Sequence, residues 1–360
     1  MAWRLRAEIP QGLRQPFHKV SVFHSGREAL TALLRHLHPA AGVVLMPPWV
    51  AEGVFLPFQL AGWDIIFYDL DQRGHPRFDQ IHDIAQQKEV HLCLLVHFFG
   101  ILTPLAPLQS ALPPHTAILE DWAQGYPTDS WKLAPGHWAL FSPNKLAGVP
   151  DGAWLLGPEA LKPQRRYSRN KLAYGVWRLL YLLTMTLPDV FLHRSPLLSR
   201  IGYGSYARSY RALLSMTATP HTPSCWGSWL LRHYPHDEMV QARRQQAAVL
   251  HTMRLPDGVN RWIDTHILPA DPLIGYPLLV DDVERIQHHL QRHGIRPQRF
   301  TDHWWFGGEA GEKQWPGSYY LMQHHLLLPL NLHFSTEAVA YLRKVMEQYS
   351  PSEQGSNDEV

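Results

Sequence analysis

Three short stretches hold residue types that can do chemistry inside an apolar setting. Phe141 to Leu156, FSPNKLAGVPDGAWLL, sets Lys145 in an uncharged run between an apolar strand and a Pro150-Asp151-Gly152 turn. A lysine at that place has two uses. It keeps its stem buried and its ammonium in water, or it loses solvation, so that its pKa falls and it serves as an amine nucleophile. The second use is what a Schiff base to a carbonyl group requires. In LEDWAQGY, Glu120 and Asp121 end the strand-like TAILED, with Gln124 following. An acid there either caps a helix or pairs as a carboxylate with a protonated ring nitrogen of a ligand. Ser25-Gly26-Arg27 opens an apolar-periodic helix, where free backbone N–H groups and the helix dipole suit an anion such as phosphate.

The elements around these stretches alternate. SGREALTALLRHL has apolar residues at Ala29, Leu30, Leu33, Leu34 and Leu37, which is helical spacing. VVLMP reads as a strand, VAEGVFLPFQLAG as a helix broken near Pro57, DIIFYDLD as a strand and FDQIHDIAQQ as a helix. HLCLLVHFF, TAILED, HWALFSP and GAWLLG follow as strands, with a short helix at PLAPLQSAL. Unbroken apolar strands alternating with helices predict an α/β fold with a mostly parallel sheet covered on both faces. In such sheets ligands bind beyond the carboxyl ends of the strands, where all three polar stretches fall. Residues 163–225 read as a basic, aromatic insertion into a large domain spanning 1–240. A smaller α+β domain over 241–350 and a disordered tail, 351–360, complete the expected organisation.

Composition narrows the partners. The 360 residues are 45% hydrophobic and 18% charged with a net charge of +2, so the chain is globular and carries no nucleic-acid footprint. Cys93 and Cys225 lie far apart without metal-ligand spacing, and are expected to be reduced, buried thiols of a cytoplasmic protein. The N-terminal residues lack a signal-peptide pattern. The most hydrophobic window, Tyr174 to Leu192, contains Arg178, Pro188 and Asp189, and its apolar part is too short to span a bilayer. A buried or substrate-channel helix is the expectation there, ahead of a membrane-surface helix. His288, His289 and His293 share one helix but have no fitting acid or thiol, so solvent-facing histidines and no metal site are expected.

A phosphate cradle, a carboxylate and a lysine in that order along the chain are the attachments pyridoxal 5′-phosphate needs. The chain resembles the DegT/DnrJ/EryC1/StrS family of fold-type I pyridoxal-phosphate enzymes, best known as nucleotide-sugar aminotransferases. SGREALTALL resembles the family's phosphate loop, LVHFFG its Val-His-Leu-Tyr-Gly, LEDWAQGY its Glu-Asp-Ala-Ala-Gln, and FSPNKLAGVPDGAWLL its His-Pro-x-Lys block. LLLPLNLHFSTEAV resembles the Leu-Pro-x-His block before the final helix.

The resemblance implies that Lys145 forms the Schiff base with the cofactor and shuttles the proton. Asp121 would face the pyridine nitrogen and Gln124 the ring's phenolic oxygen. Ser25, Gly26 and Arg27 would cradle the phosphate, with the amides of Gly26 and Arg27 as donors, and Trp49, rather than Ala51, would stack on the ring. The family's phosphate serine falls at Leu140, and Ser142 is expected to replace it. The segment whose asparagine reaches the partner subunit has no equivalent, and His221 or Ser224 is expected in its place. His97 and His221 are the expected substrate contacts. The implied activity moves an amino group from an amino acid, glutamate by family habit, to a keto-sugar nucleotide or related keto compound, at the interface of a homodimer. A dehydratase using the same cofactor and a non-catalytic regulatory or scaffold protein are the alternatives. Retention of Lys145 opposes the first. Retention of Lys145, Asp121 and Gln124 opposes the second, which Leu140 and the rewritten segment favour.

Overall fold

The computed structural model describes residue 13 and residues 18–37, 40–128, 131–164, 168–191, 196–263, 272–301 and 308–350. The expected tail, 351–360, the N-terminal residues 1–12 and part of the Trp-rich loop, 302–307, lie outside the described residues. Seven strands form one sheet: β1 (Lys19–Phe23), β2 (Val43–Met46), β3 (Asp64–Phe67), β4 (Leu92–Val96), β5 (Ala117–Trp122), β6 (Trp138–Phe141) and β7 (Ala153–Gly157). Their spatial order is β1-β7-β6-β5-β4-β2-β3. The pairs from β3 through β6 are parallel, and β7 alone runs against both of its neighbours. Every residue of β4, LCLLV, is buried. A strand without a polar face is what helices on both sides of a parallel sheet require.

Helices α1 (Gly26–Leu37), α2 (Glu52–Leu60), α3 (Phe78–Gln87) and α4 (Ala106–Ala111) connect the strands. The expected break at Pro57 does not occur, and α2 runs through it. The missing N–H of Pro57 deprives only the carbonyl of Gly53, in the first turn, so the cost falls at the helix end. Strand β1 was not foreseen, because its five residues form an edge strand with a short, weak alternation.

The insertion is a helical hairpin, α5 (Arg169–Phe191) and α6 (Pro196–Met216), followed by α7 (Cys225–His233). Cys225 opens α7 exposed, which corrects the expectation of two buried thiols. Cys93 is buried in β4, and both are free. Helix α8 (His236–His251) then leads to a three-stranded antiparallel sheet of β8 (Val259–Arg261), β9 (Gly275–Val280) and β10 (His325–Pro329). The helices of this region are α9 (Val283–Arg292), α10 (Gly308–Gln314), α11 (Pro316–His324) and α12 (Thr336–Glu347), the last capped by the Ser335 hydroxyl on the Ala338 amide. The boundary expected at 240 falls inside α8. Met239 packs in the core under the large sheet, whereas Ala247 and Leu250 pack in the second core. One continuous helix thus serves both cores. On α9, His288 and His293 are exposed, while His289 is half-buried, with its Nε2 3.0 Å from the Val345 carbonyl.

Candidate active site

Sheet register decides which of two adjacent carboxylates faces the site. Val96, Asp121 and Leu140 are direct neighbours across β4, β5 and β6 at the carboxyl ends of the strands, and all three line one cavity. Side chains alternate across a sheet, so Glu120 points to the opposite face. There Glu120 meets His97 Nε2 at 3.2 Å and the Trp122 indole N–H at 3.1 Å, with His137 Nδ1 at 3.8 Å. Burial penalises the Glu120 charge, but the hydrogen bonds from His137 and His97 outweigh it and hold its pKa down to about 2. Glu120 is therefore a structural anion and Asp121 the carboxylate of the site.

The cavity has a volume of about 390 Å³. Asp121 sits at its floor, 5% exposed, and its Oδ1 accepts the Ala123 amide at 2.9 Å. Burial raises its pKa above the usual carboxylate value, while Lys145 opposes that shift. Lys145 ends a single 3₁₀ turn, Pro143–Lys145, that follows β6 directly. Its side chain has substantial accessible surface and lines the cavity. Lost solvation lowers its pKa first, the Arg27 guanidinium adds to that, and Asp121 works against it. The turn is buttressed from behind, since Arg243 donates to the carbonyls of Leu146, Leu273 and Ile274 at 3.3, 2.9 and 3.0 Å.

Gln124 also lines the cavity. Its Oε1 accepts the Phe99 amide at 2.7 Å, which leaves the NH₂ end as the group it can offer to a ligand. Phe99 holds a left-handed backbone, with φ of 61°, to make that bond.

At the opposite wall Ser25 and Gly26 begin α1. The Ser25 hydroxyl caps the Glu28 amide at 3.4 Å. Space at position 26 is tight, because a Cβ there would come 3.0 Å from the Ser142 hydroxyl oxygen and 3.6 Å from Leu140. That closeness puts Ser142 beside the helix N-terminus. Arg27 does more than offer an amide. Its guanidinium pairs with Glu52 at 3.6 Å, donates to the Tyr210 hydroxyl at 2.8 Å and lies 4.9 Å from the Tyr210 ring centroid, and Tyr210 in turn donates to Glu52. Arg27 Nη1, buried in the cavity wall, has no hydrogen-bond partner among the described residues.

Four expected contacts are placed differently. Trp49 lines the cavity but is only 2% exposed. It stacks on Phe98 at 4.8 Å, lies 4.8 Å from His325, and donates to the Phe300 carbonyl at 2.9 Å. Its ring surface is thus taken up by protein, and the Trp49–Phe98 pair forms an aromatic wall instead of a single open indole. His97 has no accessible surface. It stacks on Trp122 at 3.8 Å, and its Nδ1 accepts the Thr103 amide at 3.0 Å. His221 lies behind α1, with its ring 3.1 Å from Glu28 and its amide donating to the same carboxylate at 3.2 Å. Neither histidine lines the cavity, so neither is placed to touch a substrate there. Ser224 likewise turns to Asp151, which accepts its amide at 3.0 Å. The residues that do line the outer wall, Tyr174, Arg178, Tyr206 and Tyr210, come from the hairpin; the first two fall in the window expected as a buried or substrate-channel helix, and the two from α6 were not singled out from the sequence. Among the described residues no group of three or more His, Cys, Asp or Glu is placed to hold a metal ion.

The fold is that of the fold-type I transferases, with a mixed seven-stranded sheet, a reversed strand beside the lysine and a second antiparallel sheet. Solved structures with the same fold include sugar aminotransferase CalS13 from Micromonospora echinospora, at a TM-score of 0.59 and 19% identity over 91% of this chain and 86% of that one. S. venezuelae DesV, solved in complex with a ketimine intermediate, superposes at 0.61 with 16% identity over 91% and 84% of the two chains. Helicobacter pylori PseC, an aminotransferase involved in the biosynthesis of pseudoaminic acid, superposes at 0.55 with 13% identity over 92% and 87%. No family model and no curated protein matches the chain.

Proposed function

We propose that the protein is a pyridoxal-phosphate aminotransferase that moves an amino group from an amino acid, glutamate being the expected donor, to a keto-sugar nucleotide or a related keto compound. The observation that carries this reading is the placement of Lys145 and Asp121 on one cavity, each shifting the other's ionisation. The residues present fit the cofactor. Gly26 leaves room at a helix N-terminus beside the Ser142 hydroxyl, Arg27 Nη1 is buried without a partner, and Asp121 is an acid whose charge burial disfavours until a cation faces it. Kinship with sugar aminotransferases in fold supports the reaction class and leaves the acceptor to experiment.

When bound, the cofactor would supply a carbonyl carbon and an electron-withdrawing ring. The chain's own contribution follows from the geometry. Lys145 Nζ, whose charged form lost solvation disfavours, would attack a carbonyl and then hold and return a proton on that side of the site. Asp121 would keep a ring nitrogen protonated, because pairing restores the carboxylate charge that burial penalises. Gln124 would donate its NH₂ to a ring oxygen. The α1 N-terminus, Ser142 and Arg27 would hold the phosphate, with Arg27 and Ser142 taking the place of the serine lost at Leu140.

The purified protein with added pyridoxal 5′-phosphate should show a visible absorption band that glutamate bleaches and that Lys145→Ala lacks. A band indifferent to a panel of amino donors would transfer the assignment to the dehydratase. The absence of any band with cofactor in excess would overturn the enzyme reading.

A further inference from the structure

The hairpin leaves a face of the molecule that catalysis does not use. Tyr174, Arg178, Tyr206 and Tyr210 turn inward to the cavity, with Arg178 lying 5.1 and 5.8 Å from the Tyr181 and Tyr206 rings. On the outer side of α5, Leu172, Val176, Leu179 and Leu183 are 55%, 54%, 58% and 43% exposed. Their spacing of four, three and four residues puts them on one stripe of the helix. Helix α6 adds exposed Leu197, Ile201 and Tyr203. The expectation of a buried or substrate-channel helix over Tyr174–Leu192, whose last residue lies outside the described residues, is corrected for one side only: Tyr174 and Arg178 line the cavity, while the apolar stripe of α5 faces out.

Charge accompanies this stripe. Residues 162–211 contain ten Lys or Arg and a single acid, Asp189, in a chain whose total is only +2, so the rest of the molecule is net acidic. Arg169, Arg200, Arg208 and Arg211 are exposed on the two helices. Lys171 donates to the carbonyl of Thr222 at 2.6 Å, tying the start of α5 to the segment before α7, where Trp226 and Trp229 are 71% and 51% exposed. Exposed aliphatic residues flanked by cations, with tryptophans nearby, match the chemistry of a bilayer's interfacial zone.

We propose that the α5–α6 hairpin docks the protein on an anionic lipid surface, with the apolar stripe of α5 entering the headgroup region and the flanking arginines facing lipid phosphates. This is docking and not spanning, since no described helix is long and apolar enough to cross a membrane. A second copy is the competing occupant. A two-fold interface sets a patch against itself, and here that would oppose two basic hairpins, whereas an anionic surface complements them. The proposal does not rest on the aminotransferase reading.

The test is sedimentation of the purified full chain with vesicles. Vesicles of phosphatidylcholine with about a third phosphatidylglycerol should carry the protein down at low salt, and vesicles of phosphatidylcholine alone should not. Raising salt to ~1 M, where the Debye length shrinks from about 10 to about 3 Å, should weaken the binding roughly tenfold or more. The double variant Val176→Glu/Leu179→Glu should lose at least about tenfold in vesicle binding, with its sedimentation coefficient in solution unchanged. If that variant fails to fold, Arg169→Glu/Arg200→Glu, on exposed positions, should give the same loss. Failure to bind the anionic vesicles at low salt, or equal binding to both kinds, would overturn the proposal. So would a Val176→Glu/Leu179→Glu variant that dissociates a dimer while leaving vesicle binding intact, which would assign the face to a second copy.

Discussion

Asp121 and Gln124 each have one side-chain oxygen already committed to a backbone amide, and Lys145 stands on a 3₁₀ turn whose own amide donates to the Ser142 carbonyl at 3.0 Å. The hairpin wall opposite is committed mainly elsewhere, although the Tyr174 hydroxyl donates to the Pro150 carbonyl at 2.7 Å. Its inner face is Arg178 between two tyrosine rings, with Tyr206 near Tyr181 and Tyr210. Contacts of ring and guanidinium tolerate sliding, whereas a carbonyl held at 2.7 Å from an amide does not. The floor is built to place atoms, and the wall to adapt to what enters. Under the proposed function, the chemical step suits the first region and a choice of acceptor the second.

The comparison can be broken at its strongest point first. Lys145→Ala should abolish transamination, by at least about 10³-fold, with little change in melting temperature, because it removes a desolvated amine from the cavity. Asp121→Asn should lower kcat by roughly 10² while the protein still binds cofactor. Were either variant to retain most of its activity, the floor would not be the chemical half.

Smaller effects sharpen the contrast. Glu120, whose folded pKa is depressed to about 2, contributes stability that is present above its ordinary pKa of 4.5 and is lost as pH falls toward 2. Acid unfolding of Glu120→Gln should therefore show a shallower slope across that window, measured by denaturant melts at several pH values. Tyr210→Phe removes one partner of the Arg27 guanidinium and should weaken cofactor binding about tenfold, read by titration of the visible band. Val176→Ala, on the outer face, should change stability by no more than ~0.5 kcal/mol and leave turnover of a soluble substrate unchanged.

The parts of the site that could be read in the sequence are those encoded within one short stretch. Gly26 before an apolar-periodic helix, Asp121 at a strand end with Gln124 nearby, and Lys145 after the next strand each carry their setting with them. The role of the Arg27 side chain could not be read so. It depends on Glu52 and Tyr210, which only the packing of α1, α2 and α6 brings together. His97 shows the converse failure. It follows β4 as a ligand residue would, yet a turn takes its ring to the opposite face to meet Glu120, and no local pattern announces that partner. The large sheet was legible because its buried strands are unbroken apolar runs. β1 and β8 (five and three residues) were not. Nor was the bridging of two cores by α8, since a helix amphipathic toward two neighbours looks the same as one that serves a single core.

Phe99 shows what the aim of Gln124 costs the protein. A non-glycine residue at φ of 61° holds about 1–3 kcal/mol of conformational strain. The chain accepts this so that one amide N–H meets Gln124 Oε1 while the Phe99 ring packs against Trp262 at 4.9 Å and His325 at 5.8 Å. Glycine would relax the backbone but remove the ring that keeps the turn in place. The donor end of Gln124 is therefore aimed by a sprung turn clamped by aromatic packing, and its precision is bought with folding free energy stored one layer behind the cavity.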